Sequence, residues 1–147
     1  MQGRGMKQFL SAALMFSGSL FAGDVKIEDP WIRAMPPSSP ATAAFMVISN
    51  RSDKVVAVTG GTCPVAGEVR PMITTLSKVG GREVAGMEFV SSFSVPPGKK
   101  RVLEPGGDHI MLMKLKDVPK AGTTVPMVIW IESGGHREKI SLEVPVR

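Results

Sequence analysis

The chain has 147 residues, and 43% of them are apolar, which suffices for one ordinary hydrophobic core and therefore for one domain. Its 18 basic and 13 acidic residues give a formal net charge of +5. These charges are spread along the chain without the concentrated basic stripe of nucleic-acid-binding proteins, so we exclude nucleic acid as a partner.

The first 22 residues have the pattern of a secretory signal peptide. Arg4 and Lys7 precede an uncharged apolar stretch over residues 9–22, which is shorter than the ~20 residues that a membrane-spanning helix needs. We predict export, cleavage after Ala22, and a mature domain over residues 23–147 without a membrane span. Removing two basic residues leaves 16 against 13 acidic ones, a mature charge of about +3.

From residue 24 onward, short apolar segments alternate with turn sequences rich in Gly, Pro, Asn and Asp. The predicted strands, in chain order, cover residues 42–49, 54–59, 67–75, 83–90, 92–95, 99–103, 109–115, 124–132 and 137–146. Segment 54–59 is expected to form a hairpin with segment 42–49, and Gly60-Gly61 and Gly80-Gly81 are expected to be turns. Nine or ten such strands, without helical periodicity, predict an all-β antiparallel sandwich or barrel of one domain.

The most informative segment begins at Met87 and ends in His109-Ile-Met111. Side chains of a strand alternate between its two faces, so His109 and Met111 are expected to project to the same side. An imidazole nitrogen beside a thioether sulfur suits a soft ion such as Cu(I), whereas thioethers are rare ligands of zinc or magnesium. Met87 offers a further sulfur. Ten methionines, with only two histidines and no tyrosine, favour an exported copper(I) protein.

Other residues are predicted to serve packing rather than chemistry. Cys63 is the sole cysteine, which excludes an intramolecular disulfide, and we predict that its side chain is buried. Met113 is predicted to lie in the core, Met35 in the core or at an edge, and His136 at a solvated hairpin tip. The sequence lacks a catalytic Ser/His/Asp set, a phosphate-binding loop and zinc-ligand spacing, so no enzymatic activity is predicted.

Five motifs resemble those of one family. In chain order they are Asp29-Pro-Trp-Ile-Arg-Ala-Met-Pro-Pro37, Ala43-Ala-Phe45, Cys63-Pro-Val-Ala-Gly-Glu-Val69, Pro96-Pro-Gly98 and Pro105-Gly-Gly-Asp-His-Ile-Met-Leu-Met113. Over residues 28–146 the chain is similar to the PCuAC-type periplasmic copper(I) chaperones. The resemblance implies a cupredoxin-like antiparallel β-sandwich in the periplasm. It also implies delivery of Cu(I) to a copper-accepting protein, either a respiratory oxidase subunit or another copper carrier.

The same resemblance implies the ligands. The family pattern is His or Met, ten residues, Met, twenty-one residues and His-x-Met, and its second half matches Met87, the 21 residues after it, and His109-Ile-Met111. Arg70 stands where the family places its first histidine, and a protonated guanidinium has no lone pair to donate. Met72, with 14 residues between it and Met87, is the nearest replacement. The implied Cu(I) ligands are therefore Met87, His109 and Met111, with Met72 as a provisional fourth.

Two further interpretations stay open. Arg70 is also consistent with an exported β-sandwich interaction module whose copper site is degenerate, weak or lost. The other interpretation is a Cu(II) or mixed-valence carrier that uses His136 as a second imidazole, and it requires His136 to lie close to His109 in space.

Overall fold

The computed structural model describes residues 19–22 and 24–147. These described residues form eleven β-strands and no helix. The strands are β1 (Ser19–Ala22), β2 (Val25–Ile32), β3 (Ala41–Asn50), β4 (Val56–Thr62), β5 (Ala66–Val79), β6 (Arg82–Phe89), β7 (Phe93–Val95), β8 (Lys100–Leu103), β9 (His109–Leu115), β10 (Thr124–Ser133) and β11 (His136–Pro145).

The strands form two sheets. The larger sheet has the order β1-β2-β3-β9-β5-β6, with β8 paired to β3, and the smaller sheet has the order β11-β10-β4-β7. Each pair of neighbouring strands in these sheets is antiparallel. The prediction of an all-β antiparallel fold in a single domain is confirmed.

The core lies between the two sheets. In β10, alternate residues from Val125 to Ile131 are buried while the residues between them are more exposed, the period of two that a half-buried strand shows. Ile110 and Leu112 of β9 are fully buried in the same core cluster. Burial of each such side chain contributes roughly 1.5–3 kcal/mol. One face of each sheet is therefore committed to packing, and the other face is free for a site.

Two predictions about β4 are wrong. Gly60 and Gly61 lie inside this strand rather than in a turn. A Cβ on Gly61 would lie 2.1 Å from the carbonyl oxygen of Val128 in β10, so glycine is needed here because the two backbones approach closely. The expected hairpin with the preceding strand does not form either. Instead, β4 pairs with β10 and β7, whereas β3 pairs with β2, β8 and β9.

Most of the predicted signal peptide lies outside the described residues, so the peptide and its cleavage after Ala22 stay predictions. Its last four residues form β1, which pairs with β2 from Ser19 opposite Glu28 to Ala22 opposite Val25. Among the residues that the structure describes, we find no helix with the length and apolar character needed to cross a membrane.

The outer face of the larger sheet positions the candidate site. Because Ile110 and Leu112 of β9 belong to the core, the alternation of a strand turns His109 and Met111 to the opposite face. The strand itself is central in the sheet, since it pairs with β3 along one edge and with β5 along the other. The predicted sharing of one face by His109 and Met111 therefore fits the observed strand.

Candidate metal centre

A cavity of about 350 Å³ opens on the outer face of the larger sheet. It lies among β3, β5, β6 and β9, the connection that precedes β3, and the loop that leads into β9. Three of the four sequence-predicted ligands line this cavity: Met87, His109 and Met111. The described residues that line it are Arg33, Met35, Ala41, Thr42, Ala43, Phe45, Thr74, Met87, Pro105, Gly106, Gly107, His109 and Met111.

One ring nitrogen of His109 makes a hydrogen bond to the backbone, and the other is available to bind a metal. The residue is 6% exposed, and its ring Nδ1 lies 3.1 Å from the carbonyl oxygen of Gly107. A carbonyl oxygen only accepts hydrogen bonds, so in the neutral ring Nδ1 carries the proton and donates it. The lone pair is then on Nε2. Such an arrangement fixes the tautomer and orientation of a metal-binding imidazole.

The Gly107 carbonyl is itself fixed by its surroundings. The Thr74 hydroxyl donates a second hydrogen bond to it at 2.9 Å, and the Gly107 N–H donates to the Glu104 carbonyl at 2.9 Å. Beside this turn, Arg101 pairs with Asp108 at 2.9 Å. The loop before β9 therefore holds its carbonyl in place, and through it the imidazole of His109.

The two sulfur candidates occupy different kinds of strand. Met111 lies in the middle of the sheet, opposite Ala43 of β3 and Arg70 of β5. Met87 lies on β6, an edge strand of this sheet, opposite Thr74, and it is 61% exposed. The cavity thus receives one sulfur from a packed strand and one from an accessible strand.

Met72 is paired with a site residue across the sheet but does not contribute to the cavity wall. It lies directly opposite His109 and is 9% exposed. It is not among the described residues that line the cavity, whereas Met35 is. Met35 is half-buried in the connection between β2 and β3. Sequence reasoning placed Met35 in the core or at an edge, because no spacing rule links it to ligands more than 50 residues away.

Arg70 takes the place that the resemblance assigns to a histidine, directly opposite Met111. Its guanidinium carbon lies 4.2 Å from the ring centre of Phe89, which is the geometry of a cation–π contact. A guanidinium nitrogen also lies 3.9 Å from a Glu68 carboxylate oxygen. Arg70 is therefore engaged with its strand neighbours on this face.

The remaining candidate donors lie elsewhere. Cys63 is buried in the core, as predicted, and burial raises the pKa of its thiol, so it stays protonated and is a poor metal ligand. His136 begins β11 in the smaller sheet and lines a separate cavity with Asp24 and Ser133. The structure does not bring it to the cavity of His109. Among the described residues, no group of three or more His, Cys, Asp or Glu side chains is arranged to hold a metal.

Met113 is also placed differently from its prediction. It lies opposite Ala41 on the same face of β9 as Met111 and is half-buried, rather than belonging to the core cluster between the sheets. The larger sheet therefore carries a row of sulfur-containing side chains on its outer face, of which only some line the cavity.

The fold is shared with solved copper-domain structures. A copper-bound PCuAC domain from PmoF2 superposes with a TM-score of 0.69 at 20% sequence identity, covering 87% of this chain and 97% of that domain. At this identity the likeness concerns the fold alone. The solution structure of Cu(I)-bound DR1885 from Deinococcus radiodurans superposes with a TM-score of 0.60 at 32% identity, covering 80% of this chain and 74% of that one.

Sequence relatives point to the same family. A relative from Leifsonia xyli subsp. xyli (strain CTCB07), named "Putative lipoprotein Lxx21020", is 32% identical over 113 residues, which are 77% of this chain. The chain spans 65% of that relative's length, slightly less than two thirds. The family model described as "Putative lipoprotein LpqE-like" matches residues 25–146. This chain therefore belongs to the LpqE-like family of PCuAC-type domains.

Proposed function

We propose that this protein is an exported Cu(I) carrier. His109 would supply the nitrogen ligand and Met87 and Met111 the sulfur ligands, while the sequence spacing suggests Met72 as a fourth. The carrier would hold Cu(I) in the periplasm and pass it to a copper-accepting protein, such as a subunit of a respiratory oxidase. The ion is cargo in this proposal, and no catalytic step is involved.

The observation that carries the proposal is the donor set of one cavity. A single imidazole with its Nε2 lone pair available shares that cavity with thioether sulfurs. Among the described residues that line it, none is Asp or Glu. Neutral nitrogen and sulfur donors favour a soft monovalent ion such as Cu(I), whereas magnesium, calcium and manganese favour oxygen donors.

The family supports both the cargo and the export. A relative 32% identical to this chain, DR1885, has been solved with Cu(I) bound. The LpqE-like family and the Leifsonia relative are both described as lipoproteins, a class of exported protein, which agrees with the leader pattern in residues 1–22. The periplasm, the oxidase and the identity of the acceptor belong to the proposal.

The chemistry of the ligands suits release as well as capture. Thioethers bind without losing a proton, and they hold Cu(I) less strongly than a thiolate would. A carrier that must surrender its ion benefits from such modest ligands.

Arg70 favours one alternative function, an interaction module with a degenerate copper site. A cationic guanidinium opposite Met111 repels a nearby cation and cannot replace the missing histidine. In this alternative, the outer face of the sheet binds a protein partner without carrying copper.

An anaerobic Cu(I) titration against a chromophoric chelator separates the two functions. The chain supplies its own matched control, because its second histidine lines a different cavity. Removing a residue that only orients a metal ligand typically lowers metal affinity by about 10- to 100-fold. His109→Ala removes the ligand itself, so it should weaken Cu(I) binding by more than about 100-fold. His136→Ala should leave the affinity unchanged.

Each outcome decides between the proposals. One-to-one binding that collapses in His109→Ala and persists in His136→Ala supports the copper carrier. Wild-type protein that takes no Cu(I) from the chelator rejects the carrier and leaves the interaction module. A loss confined to His136→Ala, with wild-type affinity in His109→Ala, would mean that the nitrogen ligand has been assigned to the wrong cavity.

A further inference from the structure

The geometry points to Met35 as a sulfur ligand of the copper site, in place of the provisional Met72. This inference rests on the proposed Cu(I)-binding function and extends the ligand set of the same site. Met35 lines the cavity that also contains Met87, His109 and Met111. It approaches from the connection between β2 and β3, a part of the chain that contributes no other sulfur to the site.

Apart from Met87 and Met111, the other described methionines are arranged differently. Met46 and Met127 are packed in the core cluster between the sheets. Met113 lies two residues beyond Met111 on the outer face of β9, and it is outside the cavity lining. Met72 is buried opposite His109 and is also outside that lining. Position in the cavity therefore distinguishes Met35 from four methionines of the same chemistry.

The backbone around Met35 is restrained on both sides. The Ala34 N–H donates a hydrogen bond to the Arg147 carbonyl at 2.7 Å, which ties the residue before it to the C-terminal segment. Pro36 follows it, and a residue before proline is confined to extended backbone conformations. The turn then closes with the Ser39 N–H donating to the Pro36 carbonyl at 3.0 Å. A side chain on such a segment loses less conformational entropy when it binds an ion.

Arg70 creates the need for this additional donor. With a guanidinium where the resemblance expects an imidazole, the sheet itself offers one nitrogen and two sulfurs in the cavity. The Arg70 side chain is held against Phe89 and Glu68. The wall formed by the β2–β3 connection is left to supply the missing donor, and a thioether there keeps the ligand set neutral and soft.

The test compares three Met→Leu variants in the same Cu(I) competition assay. Leucine keeps the apolar volume and removes the sulfur, so the fold is retained, and thermal unfolding verifies it. Met113→Leu is the matched control, because it changes a methionine on the same sheet face outside the cavity. Since orienting partners alone are worth about 10- to 100-fold in metal affinity, Met35→Leu should weaken Cu(I) binding by at least about tenfold. Met72→Leu and Met113→Leu should retain wild-type affinity.

A second readout counts the sulfurs directly. Copper K-edge X-ray absorption of the Cu(I)-loaded protein should fit one fewer sulfur neighbour in Met35→Leu than in the wild type, and an unchanged count in Met113→Leu. Wild-type affinity and sulfur count in Met35→Leu would overturn the inference while the carrier function stands. A loss in Met72→Leu instead would return the fourth position to Met72. If the wild type itself binds no Cu(I), the proposed function fails first and the inference with it.

Discussion

The two sides of the candidate site differ in how firmly the fold holds them. We refer to β3 and β9, with Phe45, His109 and Met111, as the inner wall, and to β6, with Met87 and Phe89, as the outer rim. His109 is 6% exposed on a strand paired along both edges, whereas Met87 is 61% exposed on an edge strand whose residues are all exposed. The site thus combines a preorganised half with an accessible half.

This difference follows from the position of each strand in the sheet. Backbone groups of a central strand are paired on both edges, and the inner wall is packed in addition by Phe45, whose ring centre lies 6.2 Å from that of His109. An edge strand has one set of unpaired backbone groups, so it opens locally at lower free-energy cost. We therefore expect the inner wall to set the affinity for the ion and the outer rim to set how fast the ion is exchanged.

The largest effect that tests this comparison is on stability. Phe45 is 2% exposed, so Phe45→Ala should lower the free energy of unfolding by about 3–5 kcal/mol through lost burial and the cavity it leaves. Phe89 is 39% exposed, so Phe89→Ala should cost only about 1 kcal/mol, including its contact with Arg70. Denaturant titration measures both. Similar losses in the two variants would mean that the outer rim is as firmly packed as the inner wall.

The next effect separates affinity from exchange. Met111→Leu removes a sulfur from the inner wall and should weaken Cu(I) binding by at least about tenfold, because even orienting partners are worth that much. Met87→Leu should reduce the affinity less and should slow the transfer of Cu(I) to a competing chelator at matched occupancy. Here the sulfur lost is the one that an incoming acceptor reaches first. Stopped-flow measurement of copper transfer checks this. Identical rate changes in both variants would mean that the inner wall and the outer rim do not differ in their effect on exchange.

Local features of the site were more predictable from the sequence than features that depend on contacts between distant parts of the chain. The His109-Ile-Met111 alternation belongs to one strand, so the local period of two is enough to place both side chains on the same face. Gly80-Gly81 also forms the predicted tight turn between β5 and β6, with both residues at positive φ. Strand existence and local turns are properties of short segments, and most of them were predicted, although β2 was missed and the Gly60-Gly61 turn was wrong.

Features that depend on contacts between distant parts of the chain could not be predicted from the sequence. The Gly60-Gly61 pair has the composition of a turn, but Gly61 serves a close contact with β10 that is distant in the chain. Met35 reaches the cavity because hydrogen bonds to residues near the other end of the chain hold its segment. Met72 satisfies the spacing of a ligand and pairs with His109, yet packing leaves it out of the cavity lining. Periodicity assigns a residue to a face of the sheet, and tertiary packing decides which residues on that face meet.

Replacing Arg70, which lies opposite Met111 of the inner wall, should raise the affinity for Cu(I). Arg70→His removes a cation opposite Met111 and puts an imidazole at the position that the family resemblance assigns to a ligand. We expect Cu(I) affinity to rise by about tenfold, since both the lost charge and the added donor favour the ion. Arg70→Gln is the control, because it removes the charge without adding an imidazole. Equal gains in the two variants would attribute the effect to charge alone, and no gain would place residue 70 outside the reach of the ion.

The smallest expected effect concerns the support of His109. Thr74→Val keeps the shape of the side chain and removes the hydroxyl that donates to the Gly107 carbonyl, which in turn accepts from His109 Nδ1. The lost hydrogen bond should cost about 1 kcal/mol of unfolding free energy. Because Thr74 acts one step further from the ion than a direct partner of the ligand, the affinity should fall by less than about tenfold.

Nitrogen-15 NMR of the imidazole provides the readout specific to positioning, since it reports the tautomer directly. In the wild type the proton should reside on Nδ1, and in Thr74→Val the Nε2-protonated form should become detectable. An unchanged tautomer ratio would mean that the Gly107 carbonyl is held by its own turn, through the bond to Glu104, without help from the β5 side of the site.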